Sequence, residues 1–166
     1  SVTLSAWVNF TGVLPGKVGG EVINISNVWG LRLSDGSGGG VDSFYWHQAL
    51  GFTWHGINIT PPAPLPAPQS FCAGTGWHHV VATFDNIGKT QKIYVDGILK
   101  GSDTLTDSVV YEWSHLTAIG KHSGNDLYDY NGTIDETRIS DIPRSEEWIQ
   151  TEYNNQSSPS TFYSVW

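Results

Sequence analysis

The run from Trp77 to Gly101 constrains the fold of this chain more than any other segment. Its first part, WHHVVATF, is a nearly continuous apolar run of the length and composition of a buried β-strand. Its second part, QKIYVDGILKG, has two strand halves on either side of Asp96-Gly97, a dipeptide that strongly favours a tight hairpin. Because neighbouring side chains of a strand point to opposite faces, we expect His78 and His79 on opposite faces. The segment therefore predicts an antiparallel sheet with a buried face.

Similar runs recur along most of the chain. In the first nine residues Val2, Leu4, Ala6 and Val8 alternate with more polar positions, which is typical of a strand. A single helix is predicted after Ser145, which can cap it, and Trp148, Ile149 and Tyr153 are expected to face the core. The predicted strands are 1–9, 21–26, 29–33, 44–47, 52–59, 77–84, the two halves of 91–101, 116–120, 132–140 and 161–166.

The segment 61–68 reads PPAPLPAP, and its five prolines exclude a helix or a central strand. We expect an exposed polyproline-II arm. It is not interpreted as an interdomain linker, because neither side of it carries enough strands to close a sandwich. The sequence therefore predicts one domain over 1–166, with a C-terminal extension from residue 154 that ends in a strand.

Charge and composition exclude several classes of function. The net charge is -8, and the eight lysines and arginines form no run, so a nucleic-acid partner is not expected. No apolar run is long enough to span a membrane as a helix. Cys72 is the single cysteine and is expected to be a buried, inert thiol. The composition suits an extracellular or cell-surface setting, where five N-glycosylation sequons could be used: Asn9, Asn24, Asn58, Asn131 and Asn155.

Three segments in order resemble the laminin-G-like family of the concanavalin A-like lectin/glucanase superfamily. They are LSAWV at 4–8, the long run at 77–101, and NGTIDETRI at 131–139 followed by the helix RSEEWIQTEY. The resemblance implies an all-β, antiparallel two-sheet sandwich (a jelly roll) with one short C-terminal helix. It also implies that Trp7, Trp77 and Trp148 are core residues and not ligand contacts.

Catalysis is not expected, because hydrolases of this fold need two carboxylates on one strand face, about 5 Å apart. Asp135 and Glu136 are adjacent, which on a regular strand places them on opposite faces. The six histidines show no metal-ligand spacing and are interpreted as satisfied or solvated.

The resemblance further implies a structural calcium ion near the rim of the sandwich. Asp135 is the position most similar to a ligand of the family, and Asp85 and Asp126 are weaker candidates. For sugar binding, the aromatic platforms expected from the sequence are Trp46, Trp54 and Trp113, which lie in aromatic and polar stretches away from the clear core strands.

Two hypotheses follow for the function. The first is a non-catalytic adhesion or binding domain that recognises a glycan or a surface protein, with calcium as an optional ion. The second is a self-assembling structural subunit of an extracellular filament, in which the C-terminal segment of each copy is donated as a strand into a neighbour. Domains of this family usually begin with a strand upstream of the LSAWV segment, so a slot is expected here that the segment TFYSVW could fill in the same chain or in a neighbour. The residues of that segment assigned to assembly are Phe162, Tyr163, Val165 and Trp166.

Overall fold

The computed structural model of the chain describes residues 1–26, 28–35, 42–47, 54–59, 72–106 and 116–162. Within them, ten strands and two helices follow one another along the sequence. The strands are β1 (Val2–Phe10), β2 (Gly20–Ile25), β3 (Trp29–Leu33), β4 (Asp42–His47), β5 (Trp54–Ile59), β6 (Trp77–Asp85), β7 (Thr90–Val95), β8 (Ile98–Thr104), β9 (Ala118–Ile119) and β10 (Gly132–Ser140); the helices are α1 (Glu146–Ser157) and α2 (Pro159–Phe162).

The strands form two five-stranded sheets. The first has the order β10-β1-β6-β7-β8 and the second β5-β4-β3-β2-β9, and neighbouring strands in both are antiparallel. We call them sheet A and sheet B. This confirms the predicted all-β sandwich, its hairpin and most of its strand positions. At that hairpin Asp96 and Gly97 have φ of 54° and 74°, the left-handed conformation that a tight turn requires.

The core lies between the two sheets. In β1 the side chains of Leu4, Ala6, Val8 and Phe10 are fully buried, as the alternation in the sequence predicts. Sheet B contributes apolar side chains from β2, β3 and β5, and the rings of Trp29 and Phe84 meet across the sandwich with centroids 5.2 Å apart. Burial of this apolar surface from both sheets supplies the main driving force for folding.

The outer face of sheet A is covered by α1. Ser145 caps the helix by accepting a hydrogen bond from the backbone N–H of Trp148, so the predicted N-cap is confirmed. Ile149 is fully buried against Val81 and Tyr94, while Trp148 is partly buried beside them. This cover explains why polar residues on the outer face of β1 are also buried. Neither described helix is long and apolar enough to cross a membrane.

A buried polar network joins sheet B to the loop before β10. Glu21 is fully buried and pairs with Arg32, whose Nε lies 2.9 Å from Glu21 Oε2. The guanidinium of Arg32 also lies 3.5 Å from the centroid of the Tyr128 ring. Asn24 is fully buried in the same network, where its amide donates to Glu21 and its oxygen accepts from Ser123. A glycan on Asn24 would have to replace these contacts and the burial of the side chain.

The end of the described chain differs from the prediction. Thr161 and Phe162 belong to the short helix α2 and not to a strand. The physical reason is local: Pro159 occupies the first helical position, where its fixed φ and its missing N–H favour a helical turn. The other residues assigned to assembly, Tyr163, Val165 and Trp166, lie outside the described residues. The predicted polyproline-II arm at 61–68 also lies outside them.

We expect Ile149→Ala to lower the free energy of unfolding by about 2–5 kcal/mol, because it leaves a cavity between α1 and sheet A. The matched control is Ile87→Ala, which removes the same atoms from a side chain that is 94% exposed and should change stability by less than about 0.5 kcal/mol. Urea denaturation of the three proteins measures both values. Equal losses for the two variants would contradict the packing of α1 described above.

Candidate functional site

An open cleft of about 760 Å³ lies on the outer face of sheet A, where β1, β6 and β10 meet the C-terminal end of α1. Its lining combines three aromatic rings with two carboxylates, a guanidinium, two amides and a hydroxyl. Its volume falls within the range of about 300–1,000 Å³ typical of ligand sites.

Two tryptophans give the cleft its aromatic surface. Trp7 is half-buried, stacks on Tyr153 with ring centroids 5.9 Å apart, and donates its indole N–H to Gln156. Trp77, the first residue of β6, is 46% exposed. The expectation that both are core residues is therefore wrong, because both project from the outer face of sheet A and α1 covers that face only in part. Trp7 is held rigidly by its neighbours, and Trp77 offers an open ring face.

A β-bulge in β10 places two acids at the cleft. Ser5 pairs with Arg138 and Trp7 pairs with Asp135, so two residues of β10 stand opposite Ala6. Glu136 in the bulge has φ of 50°, a left-handed conformation that a glutamate seldom adopts. Asp135 and Glu136 consequently both line the cleft. The expectation that they point to opposite faces is wrong, since it assumed a regular strand.

An ionic network lies beneath the acids and joins three elements. The guanidinium of Arg138 on β10 donates through Nη1 to Glu152 of α1 and through Nη2 to Glu136. Glu152 is buried, and its Oε2 lies 3.5 Å from Nε2 of His79 on β6. Burial alone would raise the pKa of the Glu152 carboxyl, but the neighbouring His79 and Arg138 together lower it. The network fixes the end of α1 against the sheet and so shapes the cleft.

The acids predicted to bind calcium do not come together. Asp85 accepts hydrogen bonds from the backbone N–H groups of Ile87 and Gly88 and so closes a turn. Asp126 lies in a loop near Lys17, which binds its backbone carbonyl. Asp135 lies in the cleft and accepts from the N–H of Glu136.

Among the described residues no group of three or more His, Cys, Asp or Glu side chains is placed to hold a metal ion. The three acids are alternative positions for a calcium ligand, and each lies in a different part of the described structure: at the end of β6, in the loop before β10 and in β10. The histidines also do not cluster. His78 pairs with Asp96 at 2.6 Å on one face of β6, and His79 is buried on the other, as predicted.

The tryptophans predicted as sugar platforms lie elsewhere. Trp46 and Trp54 belong to β4 and β5 of sheet B, where they stand opposite His55 and His47, respectively. They are therefore not part of the cleft on sheet A, and Trp113 lies outside the described residues. The sequence signal that marks Trp77 is its position at the first residue of a strand, at the end of the sheet, but that signal does not distinguish an exposed ring from a buried one.

The remaining predicted positions are distributed over the surface and the core. Cys72 is fully buried, which confirms its predicted burial. Asn9 and Asn131 are partly buried, and the Asn131 amide donates to the carbonyl of Gly12. Asn155 is exposed on α1 and lines the cleft, so a glycan on this sequon would lie in the cleft. Asn58 lies in β5.

A second cavity, of about 520 Å³, opens between the sheets at the start of β1. Its lining combines four aliphatic side chains and three serines with Trp29, Asp141 and Arg144. Trp29 is only 4% exposed, so its ring offers no free face. The cleft on sheet A is therefore the better candidate for a ligand that needs both stacking and hydrogen bonds.

Comparison with protein families gives one match. The sequence model of a laminin-G-type family, described as the concanavalin A-like lectin/glucanases superfamily, matches residues 1–150 of the 166. Comparison with curated protein sequences gives no significant match.

Solved structures share the fold. The binding domain of Paraclostridial Mosquitocidal Protein 1 aligns with a TM-score of 0.69 at 15% identity, over 93% of this chain and 37% of that one. A candidate carbohydrate-binding protein from Bacteroides ovatus aligns with a TM-score of 0.63 at 21% identity, over 90% and 39%. The CBM40 domain of the Ruminococcus gnavus IT-sialidase aligns with a TM-score of 0.66 at 12% identity, over 92% and 82%.

The chain thus spans less than two-fifths of the first two structures and most of the third. At these identities the likeness establishes the jelly-roll fold, and the ligand has to be argued from this chain's own residues.

We expect the network around Glu152 to make stability depend on pH. The pKa of Glu152 is lowered in the folded protein, so its contribution is complete above the ordinary glutamate pKa of about 4.3 and is lost as the pH falls through the folded value. Glu152→Gln should therefore lower the free energy of unfolding by roughly 1–3 kcal/mol at pH 7, with a smaller difference from the parent protein near pH 3.

Urea denaturation at several pH values measures this difference. The control is Asp103→Asn, which removes an exposed acid of β8 and should change the free energy of unfolding by less than about 0.5 kcal/mol. A Glu152→Gln difference that did not shrink in acid would contradict the network.

Proposed function

We propose that this chain, which belongs to the concanavalin A-like lectin/glucanases superfamily, is a non-catalytic carbohydrate-binding module and that the cleft on sheet A is its binding site. The observation that carries the proposal is the exposed ring of Trp77 at the edge of a cleft lined by carboxylate, amide and hydroxyl groups. Sugars present an apolar face of C–H groups and a rim of hydroxyls, and such a site complements both.

The rigidity of the cleft supports this proposal. The indole of Trp7 is fixed by stacking on Tyr153 and by its hydrogen bond to Gln156. The network of Arg138, Glu136 and Glu152 fixes β10 against α1. A site built on strands and a docked helix loses little conformational freedom when a ligand binds, which favours affinity. The bulge at Glu136 supports the same view, because backbone strain is often found at functional sites.

The comparisons support a binding role in general terms. Of the aligned structures, one is named a binding domain, one a carbohydrate-binding protein, and the third is the CBM40 domain of a sialidase. The setting we propose is extracellular or at a cell surface, which the composition of the chain suits. A surface protein that carries glycans is then the natural macromolecular partner.

Neither calcium nor catalysis is part of the proposal. Whether calcium contributes is tested by measuring binding with and without a chelator. Of the two adjacent acids at the cleft, Glu136 is paired with Arg138, which leaves it poorly suited to act as a general acid. Incubation with the glycans that bind should release no reducing ends.

We expect Trp77→Ala to weaken binding at least tenfold on a glycan array and in follow-up calorimetry, since the loss of one stacking surface is worth about 1.4 kcal/mol or more. Trp77→Phe should retain part of the affinity. The control is Ile98→Ala on β8 of the same sheet, which shortens a side chain that is 58% exposed and lies away from the cleft.

The protein for this experiment should be made without N-glycosylation, because Asn155 lines the cleft. All three variants, Trp77→Ala, Trp77→Phe and Ile98→Ala, should show the parent's unfolding midpoint. Unchanged binding by Trp77→Ala, or no binding of any glycan with and without calcium, would rule out the proposed site.

The assembly hypothesis receives less support, because Thr161 and Phe162 are helical and not part of a strand ready for donation. We therefore expect this chain to be a monomer near 18.2 kDa by light scattering over a range of concentrations. Removal of residues 162–166 should leave the mass per particle unchanged apart from the deleted residues. Open-ended assemblies that disappear on this deletion would restore the hypothesis.

A further inference from the structure

We propose that the cleft selects uncharged sugars and discriminates against glycans that carry carboxylate or sulfate groups. This inference rests on the proposed function and adds the class of ligand to it. The argument comes from the charges that line the cleft and from how each is already paired.

Arg138 is the one cationic side chain among the described residues that line the cleft. Lectin sites for acidic sugars use an available guanidinium to bind a carboxylate through two parallel hydrogen bonds. Here Nη1 of Arg138 is bound to Glu152 and Nη2 lies 2.5 Å from Oε2 of Glu136. Both terminal nitrogens are therefore engaged by carboxylates of the protein.

The charges that remain at the cleft are negative. Asp135 and Glu136 are both exposed, and Glu152 lies beneath them against one guanidinium. The whole chain also carries a net charge of -8. An anionic sugar docked on Trp77 would therefore meet more carboxylates than cations and would have to displace Glu136 to reach Arg138.

A neutral sugar meets the opposite situation. Its hydroxyl groups donate hydrogen bonds, and carboxylates are strong acceptors with several lone pairs. The carboxylate of Asp135 is exposed, with Oδ1 accepting from the N–H of Glu136 and the group as a whole still open to solvent. The stacking face of Trp77 requires no charge on the ligand.

The experiment compares pairs of oligosaccharides that are identical except that one member carries a terminal sialic acid, a uronic acid or a sulfate. Binding of each pair to the parent protein is measured by calorimetry or on an array, at low and at high salt. We expect the neutral member to bind about fivefold more tightly or better at low salt, with a smaller ratio at high salt because the repulsion is screened.

The test variant is Glu136→Gln, which removes one charge and releases one edge of the Arg138 guanidinium while keeping the size and the backbone requirement of the residue. It should shift the ratio toward the acidic member by up to about fivefold. The control is Glu146→Gln, which makes the same change in net charge in the first turn of α1, at the other end of the helix. This control should leave the ratio unchanged.

The outcomes separate this inference from the proposal on which it rests. If the parent protein binds the acidic members as well as or better than the neutral ones, the selectivity is wrong while the binding function stands. If Glu136→Gln and Glu146→Gln shift the ratio equally, the selectivity comes from net charge and not from the pairing of Arg138, and the inference is overturned. If no member of any pair binds, the proposed function itself fails.

Discussion

The candidate site depends on one interaction, the packing of α1 on the outer face of sheet A. A sandwich of two sheets has a core without it, because the inner faces bury Leu4, Ala6, Val8 and their partners. The helix adds a second, smaller apolar contact through Ile149 and a buried ionic contact through Glu152. It covers only part of the sheet, and the cleft lies where that cover ends, at the C-terminal end of α1. The boundary between a covered and an uncovered sheet face is what leaves an aromatic ring exposed beside ordered polar groups.

The β-bulge in β10 is the second condition for the site. On a regular strand Asp135 and Glu136 would alternate between faces, and one of them would be directed away from the cleft. The extra residue opposite Ala6 changes that alternation locally and places both acids at the cleft, with Glu136 in a left-handed backbone conformation. The side chain of Glu136 pairs with Arg138, and the proposed sugar selectivity rests on that pairing.

Most of the fold could be predicted from the sequence, because its signals are local or periodic. The alternation in β1, the apolar run of β6, the Asp96-Gly97 turn and the Ser145 cap each specify a conformation over a few residues, and each is found where expected. The site could be predicted only in part. Whether Trp77 is exposed depends on how far a helix some 70 residues later extends across the sheet, which no local pattern encodes. The bulge at Glu136 is a matter of register between two distant strands, and Pro159 turned the expected terminal strand into a helix at its start.

The position of Glu152 links the stability of the domain to its binding surface. This carboxylate lies between His79 of β6 and Arg138 of β10, so one buried group helps to hold the helix and to neutralise the guanidinium nearest the cleft. Protonation of Glu152 would weaken the attachment of α1 and would at the same time leave Arg138 with less compensating charge. A lower pH should therefore shift the ligand preference toward acidic sugars, as Glu136→Gln does. It should also loosen the packing of α1, which carries Tyr153, against sheet A. The same carboxylate thus takes part both in the packing of the helix and in the charge balance of the cleft.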